Sequence, residues 1–160
     1  MTSFRRELQL VGTLADLPRI GEFIEGACQQ AGVAPAVRFD VLMAVDEACS
    51  NVFEHAYCCL AGEVRLSFET HDGDLVITVR DRGRAFDPEA VPAPDMGLPL
   101  AERPIGGLGL HLMRRLMDDV TFSFSPEHGN TLVMAKRGVV LAGTPTPRSA
   151  RPRKPAPRKP

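Results

Sequence analysis

No stretch of this 160-residue chain stays apolar for the ~18 residues that a membrane-spanning helix requires. Its opening residues, MTSFRRELQLVG, lack the apolar core of a secretory signal. Both absences make the cytosol the expected compartment, with no membrane partner. The glycine signatures of the commonest nucleotide folds are missing too. There is no GxxxxGK followed by Ser or Thr, and no GxGxxG between a strand and a helix. Four cysteines are present, Cys28, Cys49, Cys58 and Cys59, but neither their spacing nor a neighbouring histidine makes a zinc-binding pattern. Two adjacent cysteines are poor disulfide partners, so all four are read as reduced, small and partly buried. The chain has no internal repeat.

Net charge is nearly absent, at −1, but what charge there is lies unevenly. The segment from Arg148 onward, RSARPRKPAPRKP, holds six Lys/Arg and no acid, which leaves the preceding 147 residues acidic. An acidic body speaks against nucleic-acid binding by the folded domain itself. The proline-rich basic end has no apolar periodicity and reads as a disordered tail over 141–160, outside one folded domain of residues 1–140. With 44% hydrophobic and 24% charged residues, that domain has the composition for a single substantial core.

What is present is a regular succession of patterns. FRRELQLVG alternates as a strand. Asp16 is expected to cap a helix running to about Ala31, with Pro18 in its first turn and Gly32 ending it. A longer helix, APAVRFDVLMAVDEACSNVFEHAY, follows. GEVRLSFETHDGDLVITVRDRG reads as two strands joined by a hairpin turn at HDGD. Residues 84–105 carry five prolines and read as a long irregular loop, of the kind that is usually functional. A helix from about Gly107 to Met117 and two strands, VTFSFS and NTLVMAKR, complete the chain. Paired strands with segregated helices predict an α+β fold, a two-layer sandwich with helices on one face of a mostly antiparallel sheet.

The second helix has two faces. At about 100° per residue, Val41, Val45, Ala48, Cys49, Val52 and Ala56 share one apolar arc, whereas Asp40, Glu47, Asn51 and Glu54 gather roughly opposite, with His55 at the margin. Glu47 and Asn51 are one turn apart and offer two hard oxygens pointing the same way, a set suited to Mg²⁺ or simply to water. Further on, Asp81 and Gly83 in RDRGRAFDP end the hairpin's second strand. A carboxylate there can accept a hydrogen bond from an exocyclic amine such as adenine's; an ordinary turn would look the same. Gly106, Gly107 and Gly109 then crowd the start of a helix, where a polyphosphate can lie against unpaired amides.

Taken in order, EACSNVFEHA, DRGRAFD, a proline-rich loop, GGLGLHLM and GNT closely resemble the nucleotide-binding domain of the GHKL superfamily. More narrowly, VDEACSNVFEHAY and GGLGLHLMRRLMDDV resemble the anti-sigma-factor serine-protein kinases of the RsbW and SpoIIAB type. The resemblance covers about residues 3–137 and implies a Bergerat-type ATP-binding fold, with ATP or ADP and Mg²⁺ as ligands. It implies Glu47 as general base and Asn51 as Mg²⁺ ligand. It implies Asp81 and Gly83 at the adenine, with Thr131 of GNT adding a hydroxyl there. Gly107, Leu108, Gly109 and Leu110 would bracket the phosphates under a mobile lid, about residues 88–105, and Ser50 and His55 share the Asn51 box. Arg103 is a candidate for touching the terminal phosphate, but its register does not match the pattern, so it is left out of the catalytic set. One departure stands out: Ala85 occupies the place of the second glycine in the usual DxGxGF, where a left-handed backbone would exclude it.

The resemblance implies an ATP-dependent kinase acting on a serine of a STAS-domain anti-anti-sigma protein, with a sigma factor as a second partner and a homodimeric assembly. Two other readings compete with it. One is a nucleotide-dependent sequestration module with little or no transfer activity, which Ala85 favours. The other is an ATPase fragment of the gyrase or Hsp90 kind, for whose further domains the chain has no room.

Overall fold

The computed structural model describes residues 3–99 and 107–142. Strand β1 (Phe4–Gly12) leads through a short 3₁₀ turn into helix α1 (Leu17–Ala31), and helix α2 (Pro35–Asn51) follows directly. The hairpin of β2 (Gly62–His71) and β3 (Asp74–Asp81) comes next, then an irregular stretch, helix α3 (Leu108–Leu116) and the hairpin of β4 (Asp119–Ser125) and β5 (Gly129–Lys136). The five strands form one open sheet in the order β1-β2-β3-β5-β4, every neighbouring pair antiparallel. The α+β class and the element order are therefore as the sequence patterns predict.

Alternation decides which face of the sheet is covered. Val64, Leu66 and Phe68 of β2, Leu75, Ile77 and Val79 of β3, and Leu132 and Met134 of β5 are buried. They meet Ile20, Ile24, Ala27 and Cys28 of α1, Val41, Val45 and Cys49 of α2, and Met113 of α3 in one core. Residues between them in sequence, such as Arg65, Ser67, Thr78 and Arg80, belong to the opposite, uncovered face. The β2–β3 turn is a two-residue one, with Asp72 and Gly73 at φ 51° and 93°, the twist that suits a tight hairpin.

Three details depart from the sequence reading. Asp16 does not cap α1 with its side chain. Its Oδ2 instead accepts from Thr13 N at 2.9 Å while Thr13 Oγ1 accepts from Ala15 N at 3.3 Å, a reciprocal capping pair on the preceding 3₁₀ turn. The second helix stops being α-helical at Asn51 and widens into a π-helical turn, Val52–Ala56. The cysteines divide: Cys28 and Cys49 are buried, and burial pushes their thiols up to about 11 and about 12, whereas Cys58 and Cys59 are exposed. The chain is still held at Leu141, whose amide donates to Gly32 O at 2.9 Å. Residues 143–160, and with them the basic tail expected from Arg148 onward, lie outside the described residues.

Phe53, fully buried in the π-helical turn, anchors the end of α2 to this core. Phe53→Ala is expected to lower the free energy of unfolding by about 3–5 kcal/mol, read from the midpoint and slope of urea denaturation.

Candidate nucleotide-binding site

The site is built around the end of α2. The predicted apolar arc is core, with Val41, Val45, Ala48 and Cys49 each no more than 2% exposed. Of the polar set, Asp40 turns away from the site and pairs with Lys136 at 3.5 Å. Beyond Asn51 the π-helical turn closes with Tyr57 N donating to Val52 O at 3.1 Å, and Cys58 and Cys59 then reverse the chain in left-handed conformations. The widened turn brings Glu54, His55 and Ala56 to the wall of a cavity of about 310 Å³. Ala48, Asn51, Val79, Phe86, Met113, Phe122 and Leu132 form much of the rest of that wall.

At the far side stands Asp81. The inward row of β3 runs Leu75, Ile77, Val79, Asp81, so strand alternation puts a carboxylate at the mouth of an apolar layer, 6% exposed. Burial raises its pKa; hydrogen bonds to its charged form from Asn130 and Gly83 partly offset that. Both bonds go to Oδ1, from Gly83 N at 2.9 Å and from Asn130 Nδ2 at 2.9 Å. Gly83 is glycine because the loop after β3 runs against α2: a Cβ there would lie 2.5 Å from Ala56 O, the same oxygen that accepts from Arg84 N at 2.9 Å. Ala85 lines the cavity and is not among the residues of positive φ, so no left-handed backbone is needed where the second glycine is missing.

Glu47, Asn51 and the glycines of α3 come together on the other side. Gly107 caps α3 with φ +79°, which an L side chain resists, and a Cβ on it would sit 2.7 Å from Pro92 O. Gly109 lies two residues further in: a Cβ there would meet Glu47 Oε2 at 2.5 Å and Asn51 Nδ2 at 3.6 Å. Glycine thus lets the first turn of α3, whose amides have no intrahelical acceptor, lie directly against the acidic face of α2. Burial raises the Glu47 pKa, and the charges of Asp46 and Glu54 raise it further.

Asn51, His55 and Asp81 line one cavity, Gly83 buttresses it, and Glu47 with Gly109 adjoins Asn51. Ser50 is not among the cavity residues, Leu110 is buried in the core, and Leu108 is 44% exposed, so the last two bring only backbone to the α3 turn. Thr131 is placed elsewhere. It pairs across the ladder with Arg80 and Ser123 and lines a depression on the uncovered face of the sheet. Its neighbour Asn130 faces Asp81 in register instead. Alternation from Leu132 and Met134 carries that signal, since an inward Leu132 makes Asn130 inward and Thr131 outward. Arg103, Gly106 and the lid beyond Pro99 lie outside the described residues.

Among the described residues no group of three or more His, Cys, Asp or Glu side chains could hold a metal ion by itself. The donors at hand fit a hard cation that takes one or two protein oxygens and fills its shell with water and phosphate, which is how Mg²⁺ is bound in phosphate sites. Asn51, with Glu47 beside it, would supply those oxygens. No helix among the described residues is long and apolar enough to cross a membrane.

A carboxylate for an amine, a polar helix face and a glycine-opened helix start around one cavity define a histidine kinase-like ATPase domain of the GHKL type. Residues 10–136 match the family described as "Histidine kinase-like ATPase domain". Proteins named "Serine-protein kinase RsbW" from Bacillus thuringiensis, Bacillus cereus and Bacillus anthracis are 35% identical over 116 residues, 66% of this chain and 71% of theirs. A crystal structure of the RsbU and RsbW domains of a Mycobacterium tuberculosis protein shares the fold, with TM-score 0.61 and 17% identity over 84% of this chain and 32% of that one. Within the GHKL class, the chain belongs to the RsbW serine-protein kinase family.

The two shifted carboxyls have a consequence for stability. A native pKa above the unfolded one means that the native state holds the proton more tightly. The stabilisation from Glu47 is therefore present below the unfolded carboxylate range and is lost as pH rises through it to the raised native value. Glu47→Gln has no such loss, so its stability relative to wild type is expected to rise as pH climbs from the ordinary carboxylate range upward. Urea denaturation across that range checks this, and a pH-independent difference would contradict the raised value.

Proposed function

We propose that this chain is an ATP-dependent serine-protein kinase that phosphorylates a serine of a STAS-domain anti-anti-sigma protein and sequesters a sigma factor. The observation that supports this best is the juxtaposition at Gly109. There a raised-pKa carboxylate, Glu47, stands against the first turn of α3 and beside Asn51, which lines the same cavity as Asp81.

Asp81 Oδ2 accepts from the exocyclic amine of adenine, while Val79, Phe86, Met113 and Leu132 cover the base. The unpaired amides of Gly107–Leu110 receive the phosphates. Asn51, with Glu47 close by, holds Mg²⁺, which neutralises phosphate charge when bound. Glu47 takes the proton of the incoming serine hydroxyl. The hydroxyl oxygen forms a bond to the γ-phosphorus, the bond from that phosphorus to the bridging oxygen breaks, and ADP leaves with the electron pair. A carboxylate made more basic by burial and by Asp46 and Glu54 suits that role. ATP and ADP states favour different protein partners, so the nucleotide acts by shifting which complex is populated.

Transfer of label from radioactive ATP to a STAS-domain serine, with Mg²⁺ present, tests the reading. Glu47→Ala is expected to bind nucleotide normally and to lose about 10²–10⁴-fold in transfer. Asp81→Asn is expected to weaken nucleotide binding itself, by about tenfold. Full-rate transfer by Glu47→Ala would remove the base assignment, and bound ATP with no label on any STAS partner would favour a sequestration module.

The assembly is proposed to be a homodimer. The uncovered sheet face, where Arg5 pairs with Glu7 and Glu69 and Arg65 with Glu63, carries both charge signs side by side, as a self-complementary two-fold contact requires. Sedimentation equilibrium is expected to return twice the chain mass; a concentration-independent single-chain mass would exclude the dimer.

A further inference from the structure

Among the described residues, Asn130 is the one buried polar side chain of the site with no role in the reading above, and its amide is fully engaged by Asp81 and the loop after β3. Its Nδ2 donates to Asp81 Oδ1 at 2.9 Å and to Arg84 O at 2.8 Å, and its Oδ1 accepts from Phe86 N at 3.0 Å. The reverse orientation of the amide would set its oxygen against a carboxylate and a carbonyl and its nitrogen against an N–H, so these three partners determine which way it points. The residue is 8% exposed and sits directly across the β3–β5 ladder from Asp81.

Two consequences follow from that geometry. With Gly83 N also on Oδ1, two donors occupy the first oxygen of Asp81, which leaves Oδ2 as the acceptor for a ligand amine in the cavity that Asp81 lines. The pair of bonds to Arg84 O and Phe86 N straddles Ala85 and holds the loop against β5 without a left-handed residue. We propose that Asn130 is a positioning residue for base recognition: it fixes Asp81 as an acceptor and clamps the Arg84–Phe86 loop in place of the missing second glycine. The proposal rests on the nucleotide-binding reading given above. It predicts a selectivity, because an oriented acceptor rewards the amine of adenine and penalises the carbonyl that hypoxanthine carries at the same position.

The test compares Mg²⁺-ATP with Mg²⁺-ITP, two nucleotides that differ at that position and share ribose and phosphates, on wild type, Asn130→Ala, Asn130→Thr and Asn130→Asp. Isothermal titration calorimetry gives the affinities and circular dichroism the fold. Wild type is expected to prefer ATP. Asn130→Ala is expected to lose about tenfold in that preference, mostly through ATP, with ITP little changed; Asn130→Thr, which keeps one donor for Asp81, is expected to lie between. Asn130→Asp places two carboxyls side by side, so a shared proton replaces the amide N–H. Its ATP affinity is then expected to fall as pH rises, whereas wild type stays flat over the same range. Hydrogen exchange of the Phe86 amide, measured without nucleotide, is expected to speed up at least tenfold in Asn130→Ala. Equal losses for ATP and ITP, or no change in either, would overturn the positioning role while leaving the nucleotide site standing. Wild type that binds neither nucleotide would overturn the nucleotide-binding reading itself. Should Asn130→Ala fail to fold, the Thr and Asp variants decide the matter by the same ratio and the same pH trend.

Discussion

The site depends on how closely two other backbones approach the end of α2. On one side the loop after β3 touches the π-helical turn, with Arg84 N bonded to Ala56 O and a Cβ on Gly83 barred by that same oxygen. On the other side the first turn of α3 lies on Glu47 and Asn51, with a Cβ on Gly109 barred by the Glu47 carboxylate. Both approaches are steric before they are electrostatic. Remove either glycine's permissiveness and the cavity loses a wall, whatever charges remain in it.

The hydrophobic layer makes those approaches stable by supplying the reference frame. The inward rows of β2, β3 and β5 pack against α1 and α2 and set the depth of the sheet relative to the helices. Asp81 and Asn130 are the terminal members of two of those rows. Their polarity is tolerated because each satisfies the other at 2.9 Å and because the row ends where the cavity opens. A carboxylate two positions earlier would sit inside the apolar layer, and one position earlier or later would face the uncovered side. The strand period thus assigns Asp81 its place as firmly as any contact does.

Kinase-family membership gives these parts a shared purpose, but their physical differences explain the division of labour. Asp81 is raised by burial and restrained by two hydrogen bonds, which suits a fixed acceptor. Glu47 is raised by burial and by two like charges and has only a glycine in front of it, which suits a group that must meet a proton. Two carboxylates on facing elements, one held by two hydrogen bonds and one with none among the described residues, suit the two roles proposed for them.

Much was legible beforehand, because periodicity and glycine placement are local properties. Alternation over FRRELQLVG and around HDGD set the strands, the apolar arc of Val41, Val45, Ala48 and Cys49 set the buried face of α2, and the motif order carried the family. Capping was not legible at Asp16, since Thr13 competes for the same carboxylate and wins by being three residues away. Nor was the π-helical turn, which adds a residue to the helix end without changing composition. Thr131 was assigned from its place in GNT, although the parity of Leu132 and Met134 already pointed to Asn130. By itself the sequence determined the elements, their order and the chemical types brought to the site, all of which depend on neighbours within a few residues. Only the tertiary structure decided that Glu47 meets Gly109, that Ala85 needs no left-handed turn and that Asn130 meets Asp81, because those are contacts between segments 44 to 62 residues apart, set by register and packing depth.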